Sequence, residues 1–228
     1  ILLQSVYIYL GGDKYWKGNI MRYQDLFEGR NSKCIVVDVQ PTYTGVDNIF
    51  GSTLLPMVKP LMNFLNKQGP ILAFVNAEDT GVSDDRIIDI KENWESAGFN
   101  ANRWNNTEIV DKGYGYFRAW MDEGVQPDVI IKVIRTMYQQ KVTDSRELFD
   151  GDESDNYQEQ MQQLIGNAWE EWMIDDTLSV EWTSVGQLKK YNGAYIMGGG
   201  RDECLREVEL LMNAFNIKYK RIEDFVYG

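Results

Sequence analysis

Short apolar runs of strand length alternate along this chain with segments whose apolar positions recur at helical spacing. Residues 34–37 (CIVV), 71–75 (ILAFV) and 194–197 (AYIM) are continuous runs of the kind a parallel strand needs when helices cover both its faces. Residues 128–133 (DVIIKV), with Lys132 near the carboxyl end, are read as a further buried strand, and 217–222 as the last one, with Asp224 just beyond it. Leu54, Val58, Leu61, Met62 and Leu65 fall on one helical face, and Gly69-Pro70 stops that helix before the run at 71–75. This is a βαβ unit, whose right-handed crossover sets the two strands parallel. Other helices are expected over 20–27, over 86–96 with Ser83 and Asp84 as caps, over 114–121, and from Val185 and Leu188 into the strand at 194.

Between 143 and 176 the composition changes. An acidic loop, FDGDESD, precedes an amphipathic helix on which Tyr157, Met161, Leu164, Ile165, Ala168, Trp169 and Trp172 line one face. Such a stripe is core, or else a cover for a partner or for the mouth of a site. The pattern as a whole predicts an α/β fold class: three α/β/α layers around a mostly parallel, Rossmann-like central sheet, in which the strands ending at Asp38 and Met197 are neighbours. Residues 1–32 are expected to form an aromatic-rich N-terminal wrap and 33–228 the α/β domain, with 143–176 as an insertion.

Composition narrows the function classes. The 228 residues suit one domain, or one domain with a sizeable insertion. Acidic residues outnumber basic ones 35 to 23, a net charge of −12 with a pI near 4.5, which argues against nucleic-acid and anionic-membrane partners. No run reaches transmembrane length, and the N-terminal stretch lacks the basic start and cleavage site of a signal peptide. The two cysteines, Cys34 and Cys204, are far apart and read as free thiols, so a reducing, cytoplasmic compartment is expected. With no histidine there is no Ser-His-Asp triad, no Cys-His dyad and no His-ligated zinc. Acid–base chemistry falls to Asp, Glu, Lys, Tyr or Cys.

Residues 194–207, AYIMGGGRDECLRE, concentrate the candidate chemistry: a buried strand, a glycine turn and the first turn of a helix that carries Cys204. The amides and dipole of a helix N-terminus favour thiolate over thiol and can hold an oxyanion; a free cysteine is equally a small buried hydrophobe. Strand, glycine turn and helix also describe a phosphate-binding loop, which the negative charge and the lack of a nearby lysine oppose. Asp38, closing the run at 34–37, is either a site residue or the cap of a turn. Lys132 among apolar neighbours either faces a carboxylate or snorkels from a sheet edge.

Taken together these pieces resemble the isochorismatase-like cysteine hydrolases over 33–224. In that superfamily the first strand ends in D-x-Q-x-x-F, and Asp38, Gln40 and Tyr43 stand in those places. Its nucleophile motif, G-x-x-T-D-x-C, is matched by Gly198, Asp202 and Cys204, with Arg201 in place of threonine. The resemblance implies a metal-independent, cofactor-free hydrolase acting on a small amide, ureide or vinyl-ether substrate, and a homo-oligomer. In it Cys204 attacks, Asp38 takes the thiol proton, Lys132 orients and polarises, and Gln40, Tyr43, Gly199, Gly200 and Arg201 hold the substrate. Arg201 either binds an acidic group or fills the pocket. The family's lysine follows the third strand and precedes an aromatic residue and a short helix, whereas Lys132 is followed by the long insertion. The alternative is a catalytically silent domain of the same fold that serves as a binding or structural subunit.

Overall fold

The computed structural model describes residues 19–22, 31–75, 84–112, 117–149 and 154–228. Six strands pair in parallel in one sheet: β1 (Asn19–Met21), β2 (Cys34–Val37), β3 (Ile71–Val75), β4 (Thr107–Asp111), β5 (Ala194–Gly198) and β6 (Tyr219–Val226), in the order β1-β6-β5-β2-β3-β4. The helices that follow and cover them are α1 (Pro41–Thr44), α2 (Val58–Leu65), α3 (Asp84–Ser96), α4 (Arg118–Asp122), α5 (Pro127–Gln140), α6 (Ser154–Ile165), α7 (Trp182–Lys190) and α8 (Cys204–Ala214).

Alternation along the strands divides the core into two layers. Ile35, Val37, Leu72 and Phe74 face a cluster built with α5, α6, α7 and α8, while Cys34, Val36, Ile71, Ala73 and Val75 face one built with α2 and α3. From β2 the sheet grows outward through β3 to β4. The chain then returns to the other side of β2 as β5 and grows outward again to β6. The order therefore reverses between β2 and β5, where Val37 pairs with Gly198, and a crevice opens beyond the carboxyl ends of strands at such a point. The expected adjacency of the strands ending at Asp38 and Met197 is what places the crevice.

Several local expectations are corrected. Residues 128–133 lie in α5 and not in a strand: Pro127 occupies its first turn with Asp128, and Ile130, Val133, Ile134 and Met137 form one buried face at helical spacing. A run this short satisfies either period, and the flanking proline settles it as helix. Lys132, consequently, is an exposed helical residue. The strand on that side of the sheet is β4, an edge strand of sequence TEIVD that is too polar to stand out. Ile20 and Met21 belong to β1 and not to a helix, while 23–27 lie outside the described residues, as do Ser83 and 114–116. β6 runs past residue 222, so Asp224 falls inside it.

The stripe from Tyr157 to Trp172 is broken where α6 ends and Gly166 takes a φ of 62°. Leu148, Tyr157, Met161 and Met173 are buried in the α5/α8 layer, so the segment over 143–176 thickens that layer. No helix among the described residues is long and apolar enough to cross a membrane.

Candidate functional site

Three strand ends build the site. Asp38 follows β2 with a φ of 52°, left-handed backbone that costs a residue with a Cβ on the order of 1 kcal/mol and that aspartate enters more readily than most. The turn is fastened on three sides. The Asp38 N–H donates to the Phe74 carbonyl at 2.8 Å, and the Asp38 carbonyl accepts from the Gln40 N–H at 2.9 Å and the Tyr227 hydroxyl at 2.6 Å. At the end of β5, Gly198 has a φ of 111°, and a Cβ there would lie 2.0 Å from the Val37 carbonyl oxygen. A Cβ on Gly199 would lie 2.3 Å from the Tyr227 ring, which rests on the turn. These two glycines let the β5 end cross tightly over β2 and deliver Cys204 as the first residue of α8.

Cys204 is half-buried, with its thiol within hydrogen-bonding reach of the Asp38 carboxylate. Burial, and then the charge of Asp38, push the thiol up to about 12, while Lys112 pulls the other way. The expectation that the helix terminus yields a resting thiolate is therefore corrected: burial and the charge of Asp38 keep the thiol neutral beside a carboxylate. The Cys204 N–H, in the first turn of α8, has no backbone acceptor among the described residues and is available to an oxyanion.

The lysine of the site is Lys112. It extends β4 by donating its N–H to the Val75 carbonyl at 3.0 Å, and its ammonium lies 2.7 Å from Glu207, both side chains being 2% exposed. Glu207 stands three residues after Cys204, hence on the same face of α8, and its other oxygen accepts from the Phe117 N–H at 2.9 Å. Burial works against the Lys112 ammonium, but Glu207, Cys204 and Asp38 more than offset it and hold its pKa above the ordinary lysine value. Lys112 escaped the sequence reading because β4 did. The available signal was its place just after a short apolar pair, Ile109 and Val110, and ahead of Phe117 and α4. Lys132 is not brought to this group; its ammonium donates to the Leu164 carbonyl on the helical layer.

The remaining candidates divide. A cavity of about 280 Å³ opens in front of Cys204, and Asp38, Tyr43, Gly200 and Arg201 line it. Gln40 is buried at the start of α1, where its carbonyl accepts from the Thr44 N–H at 2.9 Å and the Thr44 hydroxyl at 3.0 Å, and it is not part of the cavity wall. Gly199 stays behind the wall, under Tyr227. Arg201 reaches the cavity, but its guanidinium is paired with Glu223. Ile49, Phe50 and Tyr227 complete the apolar wall, with the Phe50 and Tyr227 rings edge-to-face at 5.9 Å. No group of three or more metal-ligating side chains occurs among the described residues.

This chain matches no protein-family model, no curated protein and no solved structure.

Proposed function

We propose that the chain is a cysteine hydrolase of the isochorismatase-like kind, cleaving a small amide, ureide or vinyl-ether substrate in a cytoplasmic, reducing compartment. One observation carries the reading: Cys204 and Asp38 line one cavity, and Lys112, buried just after a third strand, lies near enough for its charge to act on both. Lys112 and Phe117 also stand where the resemblance asks for a lysine after a strand, then an aromatic residue and a short helix, a place Lys132 does not occupy. A lysine in that place favours the hydrolase over the catalytically silent domain.

For an amide the steps are these. Asp38 takes the thiol proton as Cys204 Sγ adds to the carbonyl carbon, and the oxygen, now negative, is received by the Cys204 N–H at the start of α8. Collapse breaks the C–N bond; the amine leaves with the proton Asp38 had taken, and a thioester remains on Cys204. Asp38 then removes a proton from water as it attacks the thioester. The acid leaves and the proton returns to sulfur. Because the resting thiol is neutral, sulfur must lose its proton as it attacks, which gives Asp38 its work. Lys112, held by Glu207, supplies the positive charge that favours both anionic forms.

The test is to incubate the chain with a panel of simple amides and ureides, measure ammonia release, and look by mass spectrometry for an acyl adduct on Cys204. Release that depends on Cys204, with an adduct on the peptide carrying it, is expected. Release that persists in Cys204→Ala, or a full panel without release or adduct, would overturn the reading.

A further inference from the structure

The charge inventory of the cavity is lopsided. Three carboxylates line it, Asp38 at the floor and Asp202 and Glu203 at the rim, against one guanidinium, Arg201, which is occupied by Glu223. The ammonium of Lys112 is likewise committed to Glu207. Glu203 pairs with Arg118 at 2.9 Å, and that hydrogen bond holds its carboxyl below the usual range, so it stays ionised. Asp202 is exposed and has no ion-pair partner among the described residues. Behind these groups stands a chain of net charge −12. A carboxylate or phosphate entering the cavity would approach Asp38 and Asp202, with Glu203 balanced by Arg118, and find each nearby cation already engaged. A cation would be drawn in by the same field.

The rest of the wall suits a cation too. Tyr43 and Phe50 bring aromatic rings to the cavity, and the negative face of such a ring attracts an ammonium or amidinium, more strongly as water is excluded. A volume of about 280 Å³ restricts the occupant to a small molecule. We propose that this pocket selects a small amide or ureide whose non-reacting end is a cation, an ammonium, amidinium or guanidinium group, and discriminates against carboxylate-bearing analogues. The proposal rests on the hydrolase reading for the position of the reacting carbon beside Cys204. Its charge preference follows from the wall.

The experiment separates the two. In the full chain carrying Cys34→Ala, the rate at which Cys204 is modified is measured with three methanethiosulfonates, bearing a trimethylammonium-ethyl, a methyl or a sulfonatoethyl group. Each rate is divided by that of 2-mercaptoethanol with the same reagent. The cationic-to-anionic ratio is expected to exceed about tenfold at low salt and to shrink at high salt. In the double variant Asp202→Asn, Glu203→Gln it should fall towards unity. A ratio near unity in the parent chain, or faster anionic labelling, overturns the proposal.

Should Cys204 label with none of the three, the order is read from the rise in melting temperature with benzamidine, benzamide and benzoate. Stabilisation greatest with the cation supports the proposal; equal stabilisation, none at all, or more from benzoate overturns it. Neither readout needs turnover, so a chain that prefers cations yet hydrolyses nothing sinks the hydrolase reading and leaves the charge preference standing. A chain that hydrolyses amides without regard to charge does the reverse.

Discussion

The sheet carries a cysteine at each of its two edges, and their surroundings differ in kind. Cys34 opens β2 at the amino edge, fully buried among apolar side chains, with its sulfur 3.7 Å from the Ser32 carbonyl. Cys204 follows β5 at the carboxyl edge, half-buried, with Asp38 and Lys112 beside it and a cavity in front. Burial raises the pKa of both thiols above the ordinary cysteine value. A shifted pKa is therefore not what separates an inert cysteine from a usable one. On the proposed reading, a carboxylate in reach, a compensating cation and an open cavity do so, and Cys204 has all three at the carboxyl edge of the sheet.

The widest gap between the two edges should appear in activity. Cys204→Ala is expected to lower kcat/KM on any amide the chain cleaves by at least about 10⁴-fold, since the variant removes the proposed nucleophile. Cys34→Ala should leave kcat/KM within about twofold and lower stability by about 1 kcal/mol, as small core truncations do. Parallel kinetics and urea melts check both; similar losses in the two variants would erase the distinction.

Next come the two lysines. Lys112→Met leaves Glu207 buried without its partner and is expected to cost about 3–5 kcal/mol in a denaturant melt, whereas Lys132→Met should stay within about 0.5 kcal/mol. If the single variant does not fold, Lys112→Met combined with Glu207→Gln removes both charges together. In either background, loss of the ammonium that pulls the Cys204 thiol down should move its alkylation profile to higher pH. An unmoved profile would remove Lys112 from the site.

A pH titration of alkylation by iodoacetamide sharpens the contrast between the thiols. With its folded pKa raised to about 12, Cys204 is almost wholly thiol at neutral pH, so its labelling rate should climb about tenfold per pH unit, roughly a hundredfold from pH 7 to 9, without a plateau. Cys34, shielded by the core, should label only as fast as the protein opens. A Cys204 profile that levels off near neutral pH would mean a resting thiolate.

The smallest effect compares the glycines at the two ends of β5. Gly193, before the strand, has a φ of 84° and open space where a Cβ would sit, so Gly193→Ala should cost only about 1–2 kcal/mol of backbone strain. Gly198→Ala meets both a positive φ and the Val37 carbonyl, and should cost a further 1–3 kcal/mol or so. Equal urea midpoints would show that the crossing over β2 is looser than 2.0 Å implies.

The layered fold was legible because β2, β3 and β5 are buried on both faces and so appear as unbroken apolar runs at 34–37, 71–75 and 194–197. Asp38 and Cys204 were legible as candidates for a related reason, since Asp38 directly follows such a run and Cys204 follows another across a glycine turn. Lys112 was hidden because β4 is an edge strand with polar positions, and edge strands carry a weak pattern. The run at 128–133 misled because six residues satisfy either period, and the lysine assignment went with it.

The layers, the neighbouring strands β2 and β5, the glycine turn and the exclusion of histidine chemistry all follow from the amino-acid sequence, because each is a matter of local pattern or of residue type. Folding was needed to bring Lys112 and Glu207, 95 positions apart, into the buried pair beside Cys204. It is also the folded chain that occupies Arg201 with Glu223 and keeps the Cys204 thiol protonated at rest. Pairing and desolvation depend on which groups come within a few ångströms of one another, and that distance is not written in any one stretch of residues.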